Sequence, residues 1–274
     1  KKVAWAPDGL RFAATMPDHK VAVFAADTGV RIAELRGHTA SVHSAGFSPD
    51  GQRILTTSLD GTARIWEVPS GKEVCCYTGH GDADVRDGCF FPDGRHIATA
   101  AVRGIRIWTG DAREPDRILP GYRFSCVAVS PDGGKLAADA GGFGLGEGIE
   151  IVLWDARTLA MLGVKTPELA PVEKSDASGA PKQIVRSAQN PKYGDYPIRI
   201  EFSPDGLRLI TTQCDGTARL WRILPEDTIS LIAELPMACT GLHFSPDGTT
   251  LAASGENHRL TILDARTLEV LAAW

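Results

Sequence analysis

The chain has 274 residues, with 29 Lys+Arg against 34 Asp+Glu, a net charge of −5, 43% hydrophobic and 23% charged residues. That composition excludes a disordered chain and leaves no basic field to drive binding to nucleic acid. No apolar run approaches the ~18 residues that cross a bilayer, and the opening Lys1 to Trp5 is too short for an export signal, so no membrane association is expected.

The sequence starts without Met, directly in patterned residues, as an excised part of a longer polypeptide would. Six cysteines (Cys75, Cys76, Cys89, Cys126, Cys214, Cys239) form no C-x-x-C pair, and no Cys/His spacing matches a zinc knuckle. No metal and no cofactor are therefore expected. Free Cys in strand-like apolar runs behaves as a small hydrophobe, which suits a reducing, cytoplasmic compartment.

Along the chain one tetrapeptide returns: Ala6-Pro7-Asp8-Gly9, Ser48-Pro49-Asp50-Gly51, Phe91-Pro92-Asp93-Gly94, Ser130-Pro131-Asp132-Gly133, Ser203-Pro204-Asp205-Gly206 and Ser245-Pro246-Asp247-Gly248. Its prolines are 42, 43, 39, 73 and 42 residues apart. A second marker follows each turn (Phe24, Trp66, Trp108, Trp154, Trp221, Leu263) at spacings of 42, 42, 46, 67 and 42. Two independent markers thus define six units.

Within a unit, Pro presets φ and Gly supplies φ > 0, so Pro-Asp-Gly reverses the chain between extended runs. The first run, Val3 to Ala6, reads as the innermost strand of unit one. In unit two, Arg53 to Thr57 and Thr62 to Trp66 are β-branched or alternating, with Asp60-Gly61 as the turn between them. Ser70-Gly71 marks the turn before a fourth strand, as Thr28-Gly29 does in unit one, and Leu268 to Trp274 reads as the outermost strand of unit six. Four short strands cannot cover both faces of their own sheet, whereas radial stacking of six sheets can. The expected fold is all-β: one β-propeller of six four-stranded blades, at about 1–36, 37–78, 79–120, 121–163, 196–236 and 237–274.

Residues 164–195 read as an insertion loop, because Pro167, Pro171, Pro181 and Pro191 oppose paired strands. A degenerate blade within that gap, and a seventh blade in a longer parent chain, both stay open. No strand from one end interlocks with the last blade, so closure would rest on contact between blades one and six or on further chain.

The units resemble the WD-repeat family of β-propellers, across essentially the whole chain. Unit two carries the pattern most fully: Gly37-His38, Phe47-Ser48-Pro49-Asp50-Gly51 and Asp60-Gly61-Thr62-Ala63-Arg64-Ile65-Trp66. The resemblance implies a structural hydrogen-bonded set at His38, Thr56, Asp60 and Trp66 rather than a catalytic triad, and no catalytic residues. Unit three keeps Gly79-His80, Thr99 and Trp108 but has Arg103 near the Asp position. Unit five keeps Thr211, Asp215 and Trp221 without a Gly-His, and units one and six lack the Trp.

Function in such a scaffold is expected on loops. The run Gly141 to Gly148 lacks the spacing of a dinucleotide fingerprint or a P-loop and reads as an irregular hairpin connection. The resemblance also implies partner contacts at the start of each inner strand, which here are Ser41, Asp84, Arg123, Tyr196 and Ala238. Arg and Tyr are enriched at interface hot spots, so the candidate partner-binding residues are Arg123, Tyr122, Phe143, Tyr193 and Tyr196. Glu201, on an inner strand, needs a charge partner, and Arg199 or His243 could supply it.

The leading functional reading is a non-catalytic protein- or peptide-binding module presenting a rigid face, the docking or sensory part of a larger protein and monomeric by itself. The alternative is a metal-dependent hydrolase of propeller type, which needs several acidic or His ligands around the central channel.

Overall fold

A computed structural model of the chain describes residues 2–111, 117–120, 124–139, 151–165, 197–213, 217–225, 227–236, 239–255 and 260–274. Sheet one comprises β1 (Val3–Trp5), β2 (Arg11–Met16), β3 (Lys20–Ala25) and β4 (Arg31–Leu35). Sheet two is β5 (Val42–Phe47), β6 (Arg53–Ser58), β7 (Ala63–Glu67) and β8 (Glu73–Tyr77); sheet three is β9 (Val85–Phe90), β10 (His96–Ala101), β11 (Gly104–Thr109) and β12 (Arg117–Leu119). Sheet four is β13 (Val127–Val129), β14 (Lys135–Asp139), β15 (Ile151–Asp155) and β16 (Met161–Lys165). Sheet five is β17 (Pro197–Phe202), β18 (Arg208–Gln213), β19 (Thr217–Ile223) and β20 (Ile229–Pro236); sheet six is β21 (Cys239–Phe244), β22 (Thr250–Gly255), β23 (Leu260–Asp264) and β24 (Val270–Ala273). Every sheet is an antiparallel meander in chain order, so the fold is an all-β propeller of six four-stranded blades.

The Pro-Asp-Gly turns explain the first hairpin of each blade. In blade two the Gly51 N–H donates to Ser48 O at 2.8 Å with Gly51 at φ 67°, and Asp50 accepts the Gln52 N–H at 3.0 Å. The Ser48 hydroxyl oxygen accepts the Arg53 N–H at 2.9 Å, tying the two strand ends together. Ser130, Ser203 and Ser245 accept from Lys135, Arg208 and Thr250 in the same way.

The same turns join neighbouring blades. The proline of each turn lies under the glycine of the next: Pro7 at Gly51, Pro49 at Gly94, Pro92 at Gly133, Pro131 at Gly206 and Pro204 at Gly248. A Cβ on any of these glycines would stand 3.3–3.9 Å from that ring. Basic side chains reinforce the row, since Arg53 donates to Gly94 O at 2.6 Å and Arg208 to Gly248 O at 3.1 Å.

The core is likewise distributed between sheets. Separate apolar clusters seal sheets one and two, two and three, three and four, four and five, and five and six. Inner-strand residues face the preceding sheet: Ala45 and Phe47 pack on sheet one, and Ile200 and Phe202 on sheet four. Second-strand neighbours split between the faces, so Ile54 packs toward sheet one and Leu55 toward sheet three. Among the described residues no apolar cluster joins sheet six to sheet one.

Candidate functional site

The loop before β5 and the turn after β6 bring four side chains of blade two together. Asp60 stands 2.8 Å from His38 Nδ1, so that nitrogen carries the proton and donates, which leaves Nε2 as the acceptor. The Thr56 hydroxyl, 2.7 Å away, then donates to Nε2, and Trp66 Nε1–H donates to the Thr56 oxygen at 2.8 Å. Donation therefore runs one way, from indole to hydroxyl to imidazole to carboxylate, with a neutral histidine.

Electrostatics agree with this order. Desolvation lowers the His38 pKa, outweighing the pull of Asp60. Burial pushes Asp60 up, but hydrogen bonds from the Thr62 hydroxyl, the Thr39 N–H and His38 overcome it and hold the carboxyl far below its ordinary range. Thr56 is fully buried, and the Trp66 ring covers it within the core shared with blade one. A nucleophile needs access to its substrate, which this hydroxyl lacks. The constellation works as a strut linking loop, turn and sheet.

Blade three repeats part of the strut. His80 Nε2 lies 2.8 Å from the Thr99 hydroxyl, and Trp108 donates to it at 3.1 Å. Tyr77 stacks on Trp108 with ring centroids 4.3 Å apart. In blade five Trp221 donates to Thr211 at 3.0 Å, while Asp215 lies outside the described residues.

Arg123, Tyr122, Phe143, Tyr193 and Tyr196, named from the sequence as partner-binding residues, all lie outside the described residues, as do Ala238, the run from 141 to 148 and most of 164–195. Ser41 and Asp84 are described. Ser41 is exposed, and its carbonyl accepts the N–H of the exposed Leu59 at 3.0 Å; Asp84 is half-buried.

Beside them lies a feature that the sequence reading missed. The pairing of β5 with β6 skips His43, and that of β9 with β10 skips Arg86, so each inner strand carries a bulge at its loop end. A bulge frees a residue from the ladder and re-aims its side chain. The same skip recurs at Ile198 and Thr240. Around His43 gather Lys2, Arg86, Asp84 and Asp87; burial first, then Lys2 and Arg86, lower its pKa. Lys2 pairs with Asp87 at 3.5 Å, and Asp87 also accepts the Val127 N–H at 3.2 Å. The only hint in the sequence is the charged pair Arg86-Asp87 inside an otherwise apolar inner strand.

Glu201 meets both basic neighbours, Arg199 at 3.2 Å and His243 at 3.1 Å, and accepts the Phe244 N–H at 3.2 Å. Burial raises its pKa, while His243 and Arg199 bring it below the ordinary value. Asp139 is held differently: burial lifts its pKa to about 6 although it accepts the Ser125 and Cys126 N–H groups. Of the free cysteines, Cys126 is buried and Cys76 exposed. Among the described residues no group of three or more His, Cys, Asp or Glu could hold a metal ion, and no helix is long and apolar enough to cross a membrane.

Residues 29–67, 71–109 and 194–222 match the sequence model of the family described as WD domain, G-beta repeat. Over 189 residues the chain is 29% identical to Protein LST8 homolog of Drosophila melanogaster, an alignment covering 68% of this chain and 53% of that protein. Identity to WD repeat-containing protein 1 of Gallus gallus is 30% over 142 residues, covering 48% of this chain and 23% of that one. Apoptotic protease-activating factor 1 of Rattus norvegicus is 29% identical over 209 residues, with 76% and 14% covered. The chain thus spans about half the length of the first relative and far less of the other two. It superposes on the beta-propeller domain of Myceliophteria thermophila Cps50 (Swd1) with a TM-score of 0.76 at 18% identity, covering 99% of this chain and 84% of that one.

Proposed function

The chain is a WD-repeat β-propeller, and from that premise we propose that it is a non-catalytic scaffold module that docks a protein or peptide on its loop face, as part of a larger cytoplasmic protein. One observation carries the reading. The side chains that look reactive in the sequence, His38, Asp60 and Thr56, bond to one another and to Trp66 inside the blade, so outside molecules meet the loop ends of the inner strands. There Ser41, Leu59 and Arg86 are exposed on loops and bulges held by rigid sheets, a mixture of apolar, polar and charged groups suited to a protein surface. A partner of ordinary interface size would cover about 800 Å² of this face. Free thiols fit a reducing compartment.

The test is capture by the immobilised chain. Leu59→Asp with Arg86→Asp probes the described surface, and Arg123→Ala with Tyr196→Ala probes the positions named from the sequence. Loss of a stoichiometric partner by either pair, with the melting temperature held within about 2 °C, supports docking on the loop face. Capture unchanged by both pairs removes that face.

A further inference from the structure

The inner strands of blades five and six meet through charged side chains at a repeat position where the other blades carry none. Glu201 stands opposite Ile210 in its ladder, and the residues in the same place in blades one to four are Ala4, Gly46, Cys89 and Ala128, all small and uncharged. Blade six places His243 there, opposite Ala252. Among the described residues, the charged groups against the His243 ring are Arg199 and Glu201, both from β17.

His243 Nδ1 lies between an acceptor and a donor, 3.1 Å from Glu201 Oε2 and 3.2 Å from Arg199 Nη2. One ring nitrogen cannot serve both. Without a proton it accepts from the guanidinium; with a proton it donates to the carboxylate and meets the guanidinium N–H as a second donor. The guanidinium keeps its charge at all working pH values. Although burial raises it, His243 and Arg199 hold the Glu201 carboxyl below its ordinary pKa, so the histidine alone decides which contact forms. Glu201 is the fixed member of the group. Its Oε1 accepts the Phe244 N–H of blade six at 3.2 Å, and its Oε2 accepts the Arg199 Nε–H at 3.2 Å, whatever the histidine does. The His243 side chain is 45% exposed, so solvent protons reach the ring.

We infer that His243 is a proton-operated switch at the seam between blades five and six, exchanging Arg199 for Glu201 as the partner of Nδ1. The proton comes from water and stays on Nδ1, and the one bond given up is that from Arg199 Nη2. In the neutral state the ring proton sits on Nε2 and Arg199 bridges the two blades. In the charged state a charge-assisted bond to Glu201 bridges them, and the Arg199 Nη2 group is released. Arg199 follows the bulge residue Ile198, so the released charge stands at the loop end of β17.

The test uses the protein labelled with nitrogen-15 in histidine, with the His243 signals assigned by their loss in His243→Gln. Histidine is the side chain that changes charge between about pH 5 and 8, so spectra are compared at those limits. Nδ1 should be bare at pH 8, and both ring nitrogens should carry protons at pH 5. Melting temperatures give a second reading. Arg199→Leu should lower the melting temperature by about 2 °C or more at pH 8 and by less than about 1 °C at pH 5, and Glu201→Gln should show the opposite order. Both contrasts should vanish in a His243→Gln background. Should Glu201→Gln prevent folding, the nitrogen spectra and Arg199→Leu decide the matter. A proton on Nδ1 at pH 8 overturns the inference, as do equal losses at the two pH values or contrasts that persist without the histidine.

Discussion

Blades two and one are built on the same four-strand plan and differ on one face. In blade two the face toward its predecessor carries Trp66, whose indole is buried against blade one and hydrogen-bonded into the strut with Thr56, His38 and Asp60. In blade one the equivalent position is Phe24, stacked on its own sheet's Phe12. A buried polar chain is worth forming where a neighbour excludes water from it, because the same low dielectric that strengthens each bond penalises any broken one. On the face of blade one that carries Phe24, an apolar row that needs no bonding partner, Trp5, Phe12 and Phe24, stands instead.

The largest expected effect is the contrast between the two marker residues. Trp66→Ala should cost about 3–5 kcal/mol by denaturant unfolding, the usual range for emptying a large buried aromatic site. Phe24→Ala, on the uncovered face, should cost roughly 1–2 kcal/mol, and equal costs would break the comparison. Next comes Asp60→Ala, which strands the buried His38 Nδ1–H, removes the acceptor of the exposed Thr39 N–H, and should cost about 2–3 kcal/mol.

A smaller effect concerns pH. Desolvation lowers the folded-state pKa of His38, so the unfolded chain binds its proton first, and stability is lost as pH falls from the ordinary imidazole value of about 6.5 toward the lower folded value. Asp139 acts oppositely: its folded pKa is raised to about 6, so its contribution is lost as pH rises through that value. Asp139 and His43 contribute alike to both proteins, so the difference between parent and His38→Gln from about pH 7.5 to 5.5 isolates His38, and the variant should show a shallower acid loss. An unchanged slope would detach His38 from the strut. The smallest expected effect is Arg53→Met, which removes the bond to Gly94 O and the guanidinium 5.6 Å from the Phe90 centroid, and should lower stability by about 1 kcal/mol.

Much of the fold was legible because its determinants are local. Pro-Asp-Gly at Pro49 to Gly51 makes a turn whatever surrounds it, and a Trp near the end of the third strand repeats at nearly the same period, so six four-stranded sheets follow from spacing. The strut residues could be named by resemblance, yet the direction of donation needs the Asp60 oxygen placed at Nδ1 and the Thr56 hydroxyl at Nε2. The strand starts implied by the resemblance are Ser41 and Asp84, which passes over His43 and Arg86, because a bulge within the strand leaves no mark in a repeat pattern. The exposure of sheet six was equally illegible. Val21 and Leu260 are both aliphatic residues at one repeat position, and only the presence of a neighbour makes one buried and the other exposed.

The turn row has a consequence for how such an array can grow. The Pro-Asp-Gly turns of blades two to five each carry both halves of the contact, a ring that presses on the next blade and a bare backbone that accepts the ring of the one before. Plug and socket are inherited in a single tetrapeptide, so copying one stretch of coding sequence delivers a piece that already fits on either side. No matched second change elsewhere is required, and lengthening by duplication is open to this architecture at any point around the axis.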